Sequence, residues 1–502
     1  MSFPVVALTL TPEIAWNQLP DTEWNAAAAR HLLRRAGWTA LPADVERATK
    51  DGLSLTLDRL FPDSVPVFEQ PRQVAHMVTE AEELQQKAQG VDEEEKRLLY
   101  REFQQRSRNA IVDMTIHWMR YAARPESAAF AKWVLFLSDI YVVGYEKVQR
   151  APLIYKHFDI ISRYAFAPAP LLTKAVSRSS AMVQYLDLNQ SQKKAPNENF
   201  ARELFELFIL GEGNYAEKDI KEAARAYTGF KIRKNGEVYF QANQHDTGLK
   251  TIFGETGQFN GDDVIRLAYK QRAAGAFVPH EMVKFYLSDT MIDKSYLFSL
   301  GDQWKSKGYG LQWLVKTFFG SRLFFDQSFR GEYIKSPIQF YLGLVQDLDL
   351  DIIPVPRLVI NPLRQMGQVL FDPPNIRGWV GGHNWINSTS LAARRNLSES
   401  LFAAFYEAGL NEDEKLDVAA ARAQGHGAFT VDATRFAPLL KLTPDEVTHK
   451  LVTSLLAQNP TPSLKESISN YLASAEDIPA EHLRRIKRSI VTLISSPGYQ
   501  LT

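Results

Sequence analysis

The segment Asn197-Glu-Asn-Phe-Ala-Arg-Glu-Leu-Phe-Glu-Leu-Phe-Ile-Leu210, entered just after Pro196, constrains the fold more than any other. Stepped at about 100° per residue, it gathers Asn199, Arg202, Glu203 and Glu206 into one narrow arc. Phe200, Leu204, Phe205, Leu207, Phe208 and Ile209 cover the remaining circumference. A helix apolar on most of its surface has to be surrounded, so the chain must build a large core around it. Its polar stripe then faces either a thin strip of solvent, with an Arg202–Glu206 ion pair, or an internal polar site, because buried charges need partners. Carboxylates one turn apart can ligate a metal or share proton transfer. Glu203 and Glu206 are therefore candidate catalytic or metal-binding groups, with Asn199 and Arg202 as candidate binding groups.

Helical periodicity dominates elsewhere. Trp24 to Gly37 is rich in helix formers and closes on a glycine suited to a helix C-terminus, with Arg30, Arg34 and Arg35 expected on a solvated face. Gln73–Gln89 and Asp92–Ala122 read as two helices broken at Gly90. The acidic Asp92-Glu-Glu-Glu run suits the positive end of the second helix dipole. Phe230 to Phe240 alternates around Asn235-Gly236 and predicts a β-hairpin with a tight two-residue turn. A glycine-bearing loop follows at 241–261. A proline-rich connection at 353–374 and a tryptophan- and glycine-rich loop at 375–390 precede the C-terminal helices. The expected fold class is mainly α, a large multi-helix fold with one small β-hairpin insertion at 230–240. It divides into an N-terminal helical region 1–122, a central core 123–390 and a C-terminal helical region 391–502 of one continuous fold.

Composition narrows the function classes. Fifty-eight basic side chains balance 58 acidic ones at a pI near 7.2, so the global charge expected of a nucleic-acid partner is absent. No cysteine occurs, which excludes disulfides, thiolate nucleophiles and cysteine-ligated metals. Every apolar stretch is broken by charge before the ~18 residues of a membrane span. The first residues carry no basic group before their short apolar run, so a cytoplasmic location without membrane insertion is expected.

Two further segments could carry chemistry. His245-Asp246 sits in a loop and becomes part of a catalytic or metal site if that loop folds back onto the polar stripe. In the loop Pro373 to Asn387, Trp379 and Trp385 with Arg377, His383 and Asn387 resemble a ring-stacking surface for sugars or flat ligands. Phosphate-loop, calcium-loop, zinc-protease, serine-elbow and dinucleotide motifs are missing.

His31-Leu-Leu-Arg-Arg-Ala-Gly37, Pro196-Asn-Glu-Asn-Phe-Ala-Arg-Glu-Leu-Phe-Glu-Leu207, Ala223-Ala-Arg-Ala-Tyr-Thr-Gly229, His245-Asp246, Lys335-Ser-Pro337, Pro374-Asn-Ile-Arg-Gly-Trp379 and Trp385-Ile-Asn387 occur in that order. Together they resemble the bacterial family called domain of unknown function 1800. The resemblance implies that relatives are often exported, to the periplasm or beyond, and that a protein of the domain of unknown function 1501 family is a partner. The family pattern has two histidines where this chain reads Leu137-Ser-Asp-Ile-Tyr141, and another where Phe208 stands. A metal site here would be incomplete. The expected function is a scaffold or partner subunit, a diverged non-catalytic member. The alternatives are a hydrolase or oxidoreductase that uses Glu203, Glu206, His245 and Asp246 around a divalent or transition metal, and a carbohydrate-binding protein.

Overall fold

The computed structural model describes residues 6, 8–233, 235–458, 460–474 and 478–502, without the side chains of 78–82 and 85. It is mainly α, as expected, with two small antiparallel hairpins as its only paired strands among the described residues. Prolines in the first turn open many of the helices, including Pro42–Leu60, Pro125–Ile140, Pro337–Asp347, Pro356–Met366, Pro444–Leu455 and Pro479–Ile494. The ring presets φ for the helix, and the missing N–H would have lacked an intrahelical partner anyway. The two expected helices on either side of Gly90 form as Arg72–Lys87 and Glu93–Ala123, and Asp92 caps the second through the amides of Glu94 and Glu95.

The helix Pro125–Ile140 lies at the centre of the body. Its sequence is apolar nearly all round, and every residue from Ser127 to Leu137 is buried. One contiguous core runs from Ala15 to Tyr499 and takes in Phe200, Leu204, Phe205, Phe208 and Ile209 of the amphipathic segment, each at most 1 % exposed. Among the described residues, no helix is long and apolar enough to cross a membrane.

Three expectations need correction. Arg34 and Arg35 do not line a solvated face; they are 2 % and 1 % exposed. Arg34 donates to the carbonyls of Ser454 (2.7 Å) and Leu455 (3.1 Å), at the end of the helix Pro444–Leu455. Arg35 donates to those of Tyr286 (2.8 Å), Leu287 (3.0 Å) and Phe329 (2.5 Å). The guanidinium groups thus satisfy main-chain carbonyls that helix ends leave orphaned. Burial lowers the Arg35 pKa to about 9.

The first hairpin, Phe230–Ile232 with Val238–Phe240, forms where expected, but its loop is longer. Arg233 N–H still donates to the Glu237 carbonyl (2.8 Å), and Gly236, at φ 88°, lies between them. The 241–261 segment is not a plain loop. It holds a second hairpin, Lys250–Ile252 with Glu255–Gly257, around the two-residue turn Phe253-Gly254 at φ 48° and 81°. Both turn residues in the left-handed region match the strand twist.

Candidate functional site: a cavity between two widened helices and the tryptophan loop

The apolar helix built on the 196–210 motif is not regular. Glu198–Glu203 is α, and Leu204–Ile209 opens into a π-helix closed by Leu210 N–H donating to the Phe205 carbonyl at 2.8 Å. A second π segment, Val283–Leu287, ends the helix Arg272–Met282, and Ser288 N–H donates to the Val283 carbonyl at 2.9 Å. Widened turns of this kind are rare and concentrate at functional sites. Here both border the same cavity, of about 400 Å³, Glu206 and Leu207 from one and Lys284 and Phe285 from the other.

The expected Arg202–Glu206 pair does not form. Arg202 pairs instead with Glu217 through two bonds (2.7 and 2.9 Å). Glu206 reaches the cavity rim, where it accepts from Arg377 (2.5 Å) and from the Tyr215 hydroxyl (2.6 Å). Glu203 is half-buried; burial, and then the nearby Glu206, raise its pKa. Asn199 lies exposed at the start of the helix.

The tryptophan loop closes another side. Gly378 has φ 73°, and a Cβ there would lie 2.0 Å from Asp139 Oδ1. Gly382 has φ 65°, and a Cβ there would lie 2.0 Å from Asp289 Oδ1. The two glycines let the backbone descend onto two aspartates: Trp379 N–H donates to Asp139 at 3.0 Å, and His383 Nδ1 lies 2.9 Å from Asp289 Oδ2. Arg377, Trp379 and Trp385 line the cavity, Trp379 half-buried and Trp385 buried. His383 points outward, its side chain 86 % exposed. Asn387 has a structural task, capping the helix Ser388–Leu401 through the Ser390 amide.

His245 and Asp246 have other partners. His245 Nδ1 bonds the Thr228 carbonyl at 2.9 Å and its ring packs on Phe240. Asp246 accepts from Arg225 at 2.7 and 3.2 Å, which lowers its pKa, and Arg225 also holds Glu222. The first hairpin does turn the chain back, but onto Arg225 and Thr228, while Glu206 is bonded to Arg377 and Tyr215. Among the described residues no group of three His, Asp or Glu side chains is placed to hold a metal ion.

The deeper cavity wall comes from residues outside these motifs. Lys132 and Asp139 project from the central helix; His280, Glu281 and Lys284 come from the second widened helix; Tyr333, Ser336 and Gln339 close the far side. Lys132 is 3 % exposed. Its Nζ donates to the Gly37 carbonyl (2.9 Å) and lies over the rings of Trp38 and Tyr286. Burial holds that ammonium well below the usual lysine range, with Arg35 and Lys335 adding repulsion. Burial also pushes Asp139 up to about 7, against the lowering bond from Trp379. Lys284 pairs with Glu281 (2.9 Å), and Tyr333 donates to the Lys284 carbonyl (2.8 Å). The sequence does carry a signal for the central pair: past the first turn, which holds Glu126, Lys132 and Asp139 are the helix's only charges, seven residues apart.

The family model described as Protein of unknown function (DUF1800) matches residues 31–501. The chain belongs to the DUF1800 family. No curated protein and no solved structure matches it. Two of the family-like motifs quoted above, 196–207 and 374–379, thus form facing walls of one cavity. Residues of the 137–141 segment and Phe208 fall beside it. Ile140 lines the cavity, Ser138 borders a small adjoining pocket, and Phe208 packs on Tyr141 with ring centroids 5.5 Å apart.

Proposed function

We propose that this chain is a small-molecule-binding protein, working as a scaffold or partner subunit, whose ligand site is the cavity between the two widened helices and the tryptophan loop. One observation carries this reading: a partly open cavity of about 400 Å³ that joins aromatic and aliphatic walls to a few fixed polar groups. Pockets that bind organic ligands have this constitution. The rim pair Glu206–Arg377 ties the loop to the first widened helix, so the ligand and the loop conformation are coupled. A metal-dependent hydrolase or oxidoreductase finds less support, since Glu206 is bonded to Arg377 and Tyr215 while His245 and Asp246 are bonded to Thr228 and Arg225. A surface sugar platform does too, because Trp385 is buried and Trp379 half-buried. Association with a protein of the domain of unknown function 1501 family is part of the scaffold proposal and is checked by co-purification of the two chains.

The test is thermal-shift and tryptophan-fluorescence screening of purified protein against a collection of small organic compounds. Binders are expected, and Leu135→Trp, which fills the cavity from its floor, should abolish their binding while far-UV circular dichroism stays unchanged. If no compound binds, or if Leu135→Trp leaves binding intact, the cavity is not the site.

A further inference from the structure

The floor of the cavity is one stripe of the central helix: Lys132, Leu135, Phe136 and Asp139 all line it. These are positions i, i+3, i+4 and i+7, which a helix stacks on one face. The stripe therefore reads cation, apolar, apolar, carboxyl, with the two ends about 10 Å apart along the axis. The ends also differ in depth. Lys132 lies against the rings of Trp38 and Tyr286, both at most 1 % exposed, whereas Asp139 lies under the Trp379 amide near the exposed Arg377 and Val380.

No opposite charge acts on Lys132, and the one cation that acts on Asp139, Lys284, is itself bonded to Glu281. The neighbours acting on Lys132 are the cations Arg35 and Lys335, and its hydrogen bond goes to a neutral carbonyl. Asp139 takes its hydrogen bond from a main-chain amide, whereas Glu206 and Glu281 are each paired with a cation of their own. A buried charge without a counterion is costly, and a ligand that supplies the counterion removes that cost.

Resting on the binding function proposed above, we propose that the cavity takes a zwitterionic organic molecule, with a carboxylate or similar anion at its deep end, an amine at its outer end and about 10 Å of apolar or aromatic body between them. The anion meets Lys132, the amine meets Asp139, and the body lies along Leu135 and Phe136. Burial lowers the Lys132 ammonium and raises the Asp139 carboxyl, and a ligand that brings the opposite charge to each favours its charged form. No bond is made or broken.

The experiment is calorimetric or fluorescence titration of the purified chain with ω-aminooctanoic acid, octanoic acid, octylamine and the shorter ω-aminobutanoic acid. The two-ended, full-length probe should bind about tenfold or more tightly than each of the other three. Lys132→Gln, which retains a donor for Gly37, should weaken ω-aminooctanoic and octanoic acids and spare octylamine; Asp139→Asn should weaken ω-aminooctanoic acid and octylamine and spare octanoic acid. The wild-type series alone decides the matter if either variant fails to fold. Octanoic acid or octylamine binding as tightly as the zwitterion, or a substitution that weakens all probes alike, overturns the zwitterion assignment. Compounds from the wider collection that bind and are displaced by Leu135→Trp, with no preference for ω-aminooctanoic acid, would overturn the assignment and leave the binding function standing. Silence from every compound overturns both.

Discussion

The main-chain N–H of Trp379 donates to the carboxyl of Asp139 at 3.0 Å, and the residue before it, Gly378, leaves no space for a side chain at that contact. An aromatic loop is held on the central helix by one hydrogen bond and one absent methyl group. Gly378→Ala should therefore be costly twice over, through its φ of 73° and through a Cβ 2.0 Å from the Asp139 oxygen. A loss of more than about 1 kcal/mol in equilibrium unfolding is expected, with a red-shifted tryptophan emission as the loop lifts. Gly254→Ala, at φ 81° with nothing within 4 Å, is the control that has the backbone cost alone and should fall below it.

Asp139 also makes stability depend on pH in a set direction. Its ordinary value is 3.8 and burial raises it to about 7 in the folded chain. Below about pH 4 the group is protonated in both states and contributes no difference. As the pH rises towards about 7 the unfolded chain gives up the proton and the folded chain retains it, so the group's contribution to stability falls. Above that the penalty is constant. Asp139→Asn cannot ionise, and its stability relative to the parent should improve from about pH 4 to 7 and then level off, measured by denaturant unfolding across that range. A flat difference would show that the carboxyl keeps an ordinary titration.

Arg35 and Arg30 share a helix and should behave in opposite ways. Removing the Arg35 guanidinium leaves the buried carbonyls of Tyr286, Leu287 and Phe329 without donors. Arg35→Leu should cost about 3–5 kcal/mol, the range for breaking a buried charged network. Arg30 is half-exposed, and Arg30→Leu should stay within about 0.5 kcal/mol. Chemical unfolding of the two variants side by side gives the comparison.

Leu204 begins the first widened turn and is wholly buried. Truncation to Ala should cost about 2–5 kcal/mol through lost transfer free energy and the space left behind. Equilibrium unfolding reads it directly, and a cost within about 0.5 kcal/mol would mean that the site collapses around the change.

Local chemistry made much of the fold legible. Gly90 and Asp92 marked a helix boundary, and Asn235-Gly236 marked a turn. The apolar excess of 197–210 announced burial. What failed was whatever depends on distant partners. A helical wheel places Arg34 and Arg35 among polar residues, but the carbonyls that receive them lie in the segments 286–329 and 454–455. The second hairpin has strands of three residues, too short for alternation to register, and only Phe253-Gly254 hinted at it. Of the candidate site, Glu206, Arg377, Trp379 and Trp385 were named in advance and do share a cavity, whereas His245 and Asp246 are held by Thr228 and Arg225. The π turns escaped because hydrogen-bond spacing leaves no mark in side-chain order. Lys132 and Asp139 were in plain view as the two charges past the first turn of an apolar helix.

The reach of Arg35 bears on how the chain is made. Its carbonyl acceptors at Tyr286 and Leu287 lie 251 and 252 residues further along. A ribosome adding about 5–20 residues per second needs roughly 12 to 50 seconds to cover that stretch. For all of that time the guanidinium must remain in water. The helix that carries it cannot settle into its final seat, and its apolar face stays open to wrong partners. Synthesis of this protein should therefore lean on chaperones that hold the early segment until the middle of the chain arrives.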